Sequence, residues 1–151
     1  MRNYKEILFR AKRVDNNEWA FGDLLHLPNG DVVILSNKGY VKVIPETVGQ
    51  FIGLVDKNGE KIFENDIIIY TWNTLNRHSE KYKYVITYDK ENAKFIASQI
   101  YGKSQYPLST FKYSKQRIEV IGNIYGNHKF LKEYLIRDKR RLKNENDFNV
   151  N

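Results

Sequence analysis

The chain has 151 residues, 41% of them hydrophobic, a length that suits one domain burying roughly 68–70% of its extended-chain surface. It contains no cysteine, which excludes a disulfide framework, a thiolate metal site and a cysteine nucleophile. The net charge of +7 is uneven, with −1 over residues 1–71, +6 over 72–117 and +2 over 118–151, so the positive field belongs to the middle and serves solubility first.

Eleven Tyr, eight Phe and two Trp, with short aliphatic bursts, predict strands in preference to long helices. Residues 6–11 form a first strand, a polar turn follows at Val14–Glu18, and Trp19–Asp23 returns. Leu24–Leu27 meets Val32–Leu35 across Pro28-Asn29-Gly30-Asp31, and Phe51–Val55 meets Lys61–Phe63 across Asp56-Lys57-Asn58-Gly59-Glu60. Asn-Gly between apolar runs is a strong hairpin signal, and a type I′ turn with positive φ at both residues is expected at each. Ile67–Trp72 and Tyr82–Tyr88 read as strands joined by a polar loop, and Asp89-Lys90-Glu91-Asn92 turns the chain into Ala93–Ala97. Residues 100–115, polar and aromatic with Pro107, are left unassigned, and Gln116–Ile124 reads as a closing strand.

Asn127 then caps a helix whose Phe130, Leu131, Tyr134 and Leu135 share one face. The expected architecture is mainly β, a small antiparallel barrel or sandwich with a C-terminal helix. Residues 1–137 make one domain, and 138–151 form a charged, disordered tail. No secretory leader pattern opens the chain and no apolar run approaches the roughly 20 residues that span a bilayer, so a cytoplasmic protein without a membrane partner is expected.

Chemistry-bearing patterns are sparse. His26, His78 and His128 lie far apart without metal-ligand spacing, and Asp56–Glu60 begins like a calcium loop but places Gly fourth and Ile67 twelfth, so no metal or cofactor is expected. Asp23, Glu46, Glu64 and Asp66 are carboxylates that could form an acid and base pair, yet each stands beside a turn residue and suits backbone capping better. No phosphate loop or nucleophile elbow appears, and an enzyme is not expected. The basic middle interleaves Trp72, Arg77, Lys81, Lys83, Lys94 and Lys112 with tyrosines, a mix offering phosphate contacts and stacking faces. The same Lys-Tyr alternation is also a strand with one buried face.

Three blocks occur in order: residues 5–11 with Phe21-Gly22-Asp23, the long stretch 43–67 (VIPETVGQFIGLVDKNGEKIFENDI), and Val120-Ile121-Gly122-Asn123-Ile124-Tyr125. Together they resemble the YopX family of phage and prophage proteins up to about Tyr125. The resemblance implies a β-rich fold, residence in the cytoplasm of a bacterial host cell, and self-association, and it transfers no catalytic residue. One departure is Asn65, where the family pattern has Gly; Asn also tolerates the left-handed conformation. Within the central block, Glu46, Thr47 and Gln50 either stabilise a local turn or line a ligand pocket at a subunit boundary. The expected function is that of a non-enzymatic phage or prophage accessory protein that binds a host or phage component as a homo-oligomer. The alternatives are a nucleic-acid-binding module using residues 72–117 and the sequestration of a small anionic ligand.

Overall fold

A computed structural model of the chain describes residues 6–73, 75, 78–127 and 132. Among the described residues there are eleven strands: β1 (Phe9–Lys12), β2 (Trp19–His26), β3 (Val32–Ser36), β4 (Gly39–Lys42), β5 (Gly49–Val55), β6 (Lys61–Phe63), β7 (Asp66–Asn73), β8 (Ser79–Asp89), β9 (Lys94–Gln99), β10 (Gln105–Pro107) and β11 (Ile118–Asn123). They form two antiparallel sheets, one ordered β4-β3-β2-β1-β5-β6 and the other β10-β9-β8-β7-β11. Short 3-10 segments stand at Pro45–Thr47, Leu108–Thr110 and Lys115–Arg117, and Lys132, described apart from its neighbours, is helical.

The mainly β, sandwich-like expectation therefore holds, while the barrel does not. The sheets are separate and each keeps two edges, because β4 returns towards β1 through a single bridge, Arg13 to Val43, instead of a full ladder. The four residues predicted to form the helix face, Phe130, Leu131, Tyr134 and Leu135, and the predicted disordered tail lie outside the described residues.

Both Asn-Gly hairpins form, with a different turn. In each, the Gly amide donates three residues back, to Leu27 (2.9 Å) or Asp56 (3.1 Å), and the loop closes through Leu27 to Asp31 or Asp56 to Glu60. Only Gly30 (φ 88°) and Gly59 (φ 80°) are left-handed; Asn29 and Asn58 are not. These are three-residue loops, a type I turn followed by a left-handed Gly, in place of the expected type I′ pair. Asn29 instead accepts the Asp31 amide, and Asp56 accepts those of Asn58 and Glu60.

Two alternations explain the core. In the second sheet, Ile68 and Tyr70 of β7, Tyr84 and Ile86 of β8, Ala97 of β9 and Ile118 of β11 face inward and meet Ile62 of β6, so β6 belongs to the first sheet and to the second sheet's core. Phe111, 1% exposed, closes that core and gives the unassigned 100–115 segment its place: β10, a 3-10 turn, then this anchor. Burying a side chain of this size is worth about 1.5–3 kcal/mol. A second core, Ala11, Ala20, Val32, Ile34 and Val43, lies within the curl of β1–β4. Gly22 permits that curl, since a Cβ there would stand 2.0 Å from the Leu35 carbonyl oxygen.

Candidate functional site

The seam between the sheets carries a polar cluster. Arg10 projects from β1 and Asp66 opens β7; their side chains pair at 2.5 Å while only 9% and 1% exposed. The other Asp66 oxygen accepts the Phe63 amide at 2.8 Å. The Arg10 guanidinium lies 4.4 Å from the Trp19 ring centroid and 4.9 Å from that of Phe63, a cation held between aromatic faces. Its Nε–H is the one buried side-chain polar atom without a partner among the described residues.

The turn before β7 completes the cluster. Asn65 adopts φ 69°, the left-handed conformation its place in the sequence calls for. Its amide donates to Ile86 and its carbonyl accepts from Ile124, so the turn is fastened to both β8 and the segment after β11. The Asn65 side chain donates to the Tyr125 hydroxyl, which in turn donates to the Glu46 carbonyl at 2.8 Å, and Tyr125 packs edge-on to Trp19.

Electrostatics follow from burial. Loss of water pushes the Asp66 carboxyl up to about 6, although the Arg10 charge and the Phe63 amide pull it down. Burial likewise raises Glu64, with the Gln50 amide and the Lys90 charge opposing. Tyr125 is raised by burial first and then by the Glu64 charge. Two carboxyls with raised proton affinity, a phenol and a guanidinium thus share one seam, with most hydrogen-bonding capacity spent among themselves and on strand amides.

Of the predicted ligand residues, all three adjoin this seam. Glu46 is exposed in the 3-10 turn and its backbone is tied to Tyr125. Thr47 is buried, accepting the Lys12 amide at 2.8 Å and donating to the Ile44 carbonyl at 2.7 Å, which is turn stabilisation. Gln50 on β5 is half-buried and its carbonyl accepts the Glu64 amide. Glu64 and Asp66 flank Asn65 in the turn that opens β7; Asp23, opposite Leu35 on β2, belongs to another part of the first sheet.

The basic and aromatic set is divided. Trp72 turns to the inner face, donating to the Tyr84 hydroxyl and packing on Tyr70 at 4.7 Å. Lys81 and Lys83 oppose Thr71 and Ile69 on the outer face of the same sheet. Lys94 shares that face opposite Asp89, about 20 Å along β8 from Lys83 at roughly 3.3 Å per residue. Lys112 stands beside Tyr113 after the anchor Phe111, and Arg77 lies outside the described residues. Among the described residues no three His, Cys, Asp or Glu converge on one point, and no helix is long and apolar enough to cross a membrane.

Sequence reasoning missed Arg10 and Tyr125. Arg10 occupies a strand position that alternation assigns to solvent, and only its companion Asp66, 56 residues away, gives it a buried role. Tyr125 stood at the end of the third matched block, the sole signal available.

A family model described as YopX protein matches residues 8–132. Among solved structures, the crystal structure of protein EF1440 from Enterococcus faecalis is similar, at 22% identity over 83% of this chain and 98% of that one, with a TM-score of 0.50, a likeness that speaks for the fold alone. No curated protein matches.

Proposed function

The chain belongs to the YopX family, and on that premise we propose that it is a non-enzymatic phage or prophage accessory protein, binding a host or phage component as a homo-oligomer in the bacterial cytoplasm. What supports a binding role is the use made of the seam. Arg10, Asp66, Asn65 and Tyr125 bond to one another or to backbone groups of four different segments, so the ionisable residues act as a frame. Meanwhile large apolar side chains stand in water, Tyr40 at 70% and Tyr113 at 88% exposure. A rigid frame displaying apolar side chains is suited to recognition.

Native mass spectrometry of the protein taken from infected or lysogenic cells tests this, reporting copy number and retained partner together. Oligomers carrying a bound macromolecule are expected. A bare monomer that turns over a nucleotide or peptide substrate overturns the proposal.

One observation favours nucleic acid as the component bound: Lys81 and Lys83 share an outer face with the hydroxyl of Thr71 between the strands. Backbone contacts of that kind weaken steeply with salt. Retention on DNA or RNA at low salt that falls away by 200 mM supports this reading, and no retention at low salt removes it.

A further inference from the structure

Charge is balanced on one sheet and not on the other. The ion pairs among the described residues take their cations from Arg10, Arg13, Lys42, Lys57 and Lys61, all before β7 in the chain. From Ala93 to Arg117 the chain holds five cations and no carboxylate.

The register of the second sheet gathers most of that charge at one end. Thr71 of β7 stands opposite Lys81 of β8, close to where the two strands end their pairing at Asn73 and Ser79. Gln99 of β9 is opposite Tyr84 and the Ile100 amide donates to the Lys83 carbonyl, which delivers Tyr101 and Lys103 to the same end. Phe111 packs on Tyr70 and Tyr84, and Ile118 pairs with Tyr70, so residues 112–117 cross there as well, their 3-10 turn lying against β7. Lys103, Lys81 and Arg117 are thereby spread over three strand spacings, roughly 14 Å.

Among the described residues, Lys81, Lys103, Lys112, Lys115 and Arg117 take part in no ion pair. The described carboxylates on this side are already engaged, Glu80 with the Tyr82 hydroxyl and Glu119 with Lys57 at 2.5 Å. The opposite end differs: Lys94 lies across from Asp89, in a turn that also holds Glu91. Exposed rings stand among the unpaired cations, Tyr82 at 37%, Tyr101 at 58% and Tyr113 at 88%, with the Lys112 Nζ 5.3 Å from the Tyr113 centroid.

We infer that this end of the second sheet binds single-stranded nucleic acid, its cations meeting backbone phosphates and its tyrosines stacking on unpaired bases. The inference rests on the nucleic-acid reading above and names the form of the strand and the residues that hold it. A phosphate backbone supplies the negative charge that the chain itself withholds here. Stacking needs open base faces, which a duplex keeps covered, and every base has one, so sequence preference is expected to be small.

The test is fluorescence anisotropy of labelled oligo(dT), oligo(U) and a duplex of the same length, titrated with the full chain. Both single strands should bind more tightly than the duplex, and the two arms tell DNA from RNA as the source. Five phosphate contacts should weaken single-strand binding about 100-fold between 50 and 200 mM salt. Lys115→Ala with Arg117→Ala should lower affinity and make that salt dependence shallower. Tyr113→Ala should weaken binding about tenfold with the salt dependence unchanged, as expected for one stacked base. Lys90→Ala with Lys94→Ala removes the same charge from the opposite end and should change little, because charges beyond about 10 Å are screened at 0.1 M salt. Equal losses in the two double variants overturn this site and leave the nucleic-acid reading standing. So does tight duplex binding that is indifferent to Tyr113→Ala. Displacement of the label by polyglutamate as effectively as by unlabelled oligo(dT) overturns the inference in favour of an acidic protein. No binding of any of the three at 50 mM salt overturns both the site and the nucleic-acid reading.

Discussion

The Arg10–Asp66 pair sets the most distinctive expectation for a single residue. Asp66 is ordinarily ionised above about 4 in an unfolded chain but titrates at about 6 when folded. A carboxyl raised in this way binds protons more tightly in the folded state, so its favourable contribution is complete below pH 4 and is lost as pH rises through 6. The size is about 3 kcal/mol, from some two pH units at about 1.4 kcal/mol each. Urea titrations between pH 4 and 7 should show this slope in the unsubstituted chain, and Asp66→Asn, which is neutral throughout like the protonated carboxyl, should flatten it, so that the variant compares better with the unsubstituted chain at pH 7 than at pH 4. A slope unchanged in Asp66→Asn assigns it to another group. Asn65 gives a second expectation. At φ 69° a side chain costs about 1–2 kcal/mol unless it is compensated, and the bond to Tyr125 supplies compensation. Asn65→Ala should therefore lower stability by more than Asn65→Gly, a ranking that thermal denaturation measures directly.

At the level of elements, the hairpin Asp56–Glu60 does more than reverse the chain. Asp56, 2% exposed, accepts the amides of Asn58 and Glu60 within its own loop and that of Val120 on β11. The loop therefore nails the first sheet's last hairpin to the second sheet's edge. Removing the carboxylate strands three amides, and a buried unsatisfied donor costs about 1–3 kcal/mol. Asp56→Ala should lower unfolding stability by about 3 kcal/mol or more and raise hydrogen exchange at Val120, whereas Asp56→Asn, which keeps an acceptor oxygen, should cost less. Equal loss in the two variants would show that packing, not hydrogen bonding, sets the cost. Gly22 constrains β2 in another way. Any Cβ there meets the Leu35 carbonyl, so Gly22→Ala must push β2 from β3 and open the inner curl, measurable as loss of the folded signal in circular dichroism.

For the whole molecule, the two sheets are expected to unfold as one unit. Ile62 of β6 sits in the second sheet's core, Arg10 and Asp66 join β1 to β7, and Asp56 joins the hairpin to β11. Each sheet carries one tryptophan, Trp19 in the first and Trp72 in the second. Fluorescence of Trp72→Phe reports the first sheet and that of Trp19→Phe the second. Each variant's transition should coincide with its own far-ultraviolet transition in urea, and the two sheets should lose structure together. Separated transitions would mean that the seam does not couple them.

Much of the local plan was written in the residues themselves. The Asn-Gly reversals, the strand runs around them and the left-handed tolerance of Asn65 follow from φ preferences and two-residue alternation, both of which act over a few positions. The turn type escaped because a type I turn with a following left-handed Gly uses the same Asn-Gly pair, and the choice depends on how many residues the flanking ladders leave over. Placement of 100–115 escaped because its anchor, Phe111, packs against Tyr70 and Tyr84, strand residues distant in the chain. The site divided in the same manner. Glu46, Thr47, Gln50, Glu64 and Asp66 were legible as polar residues of turns, whereas the bonds of Asp66 and the Glu64 carbonyl to Arg10, and of the Glu46 carbonyl to Tyr125, were settled only by two sheets meeting. Charge pairing and desolvation act through space, so a buried cation at position 10 has no signature until the carboxylate 56 residues away is brought against it.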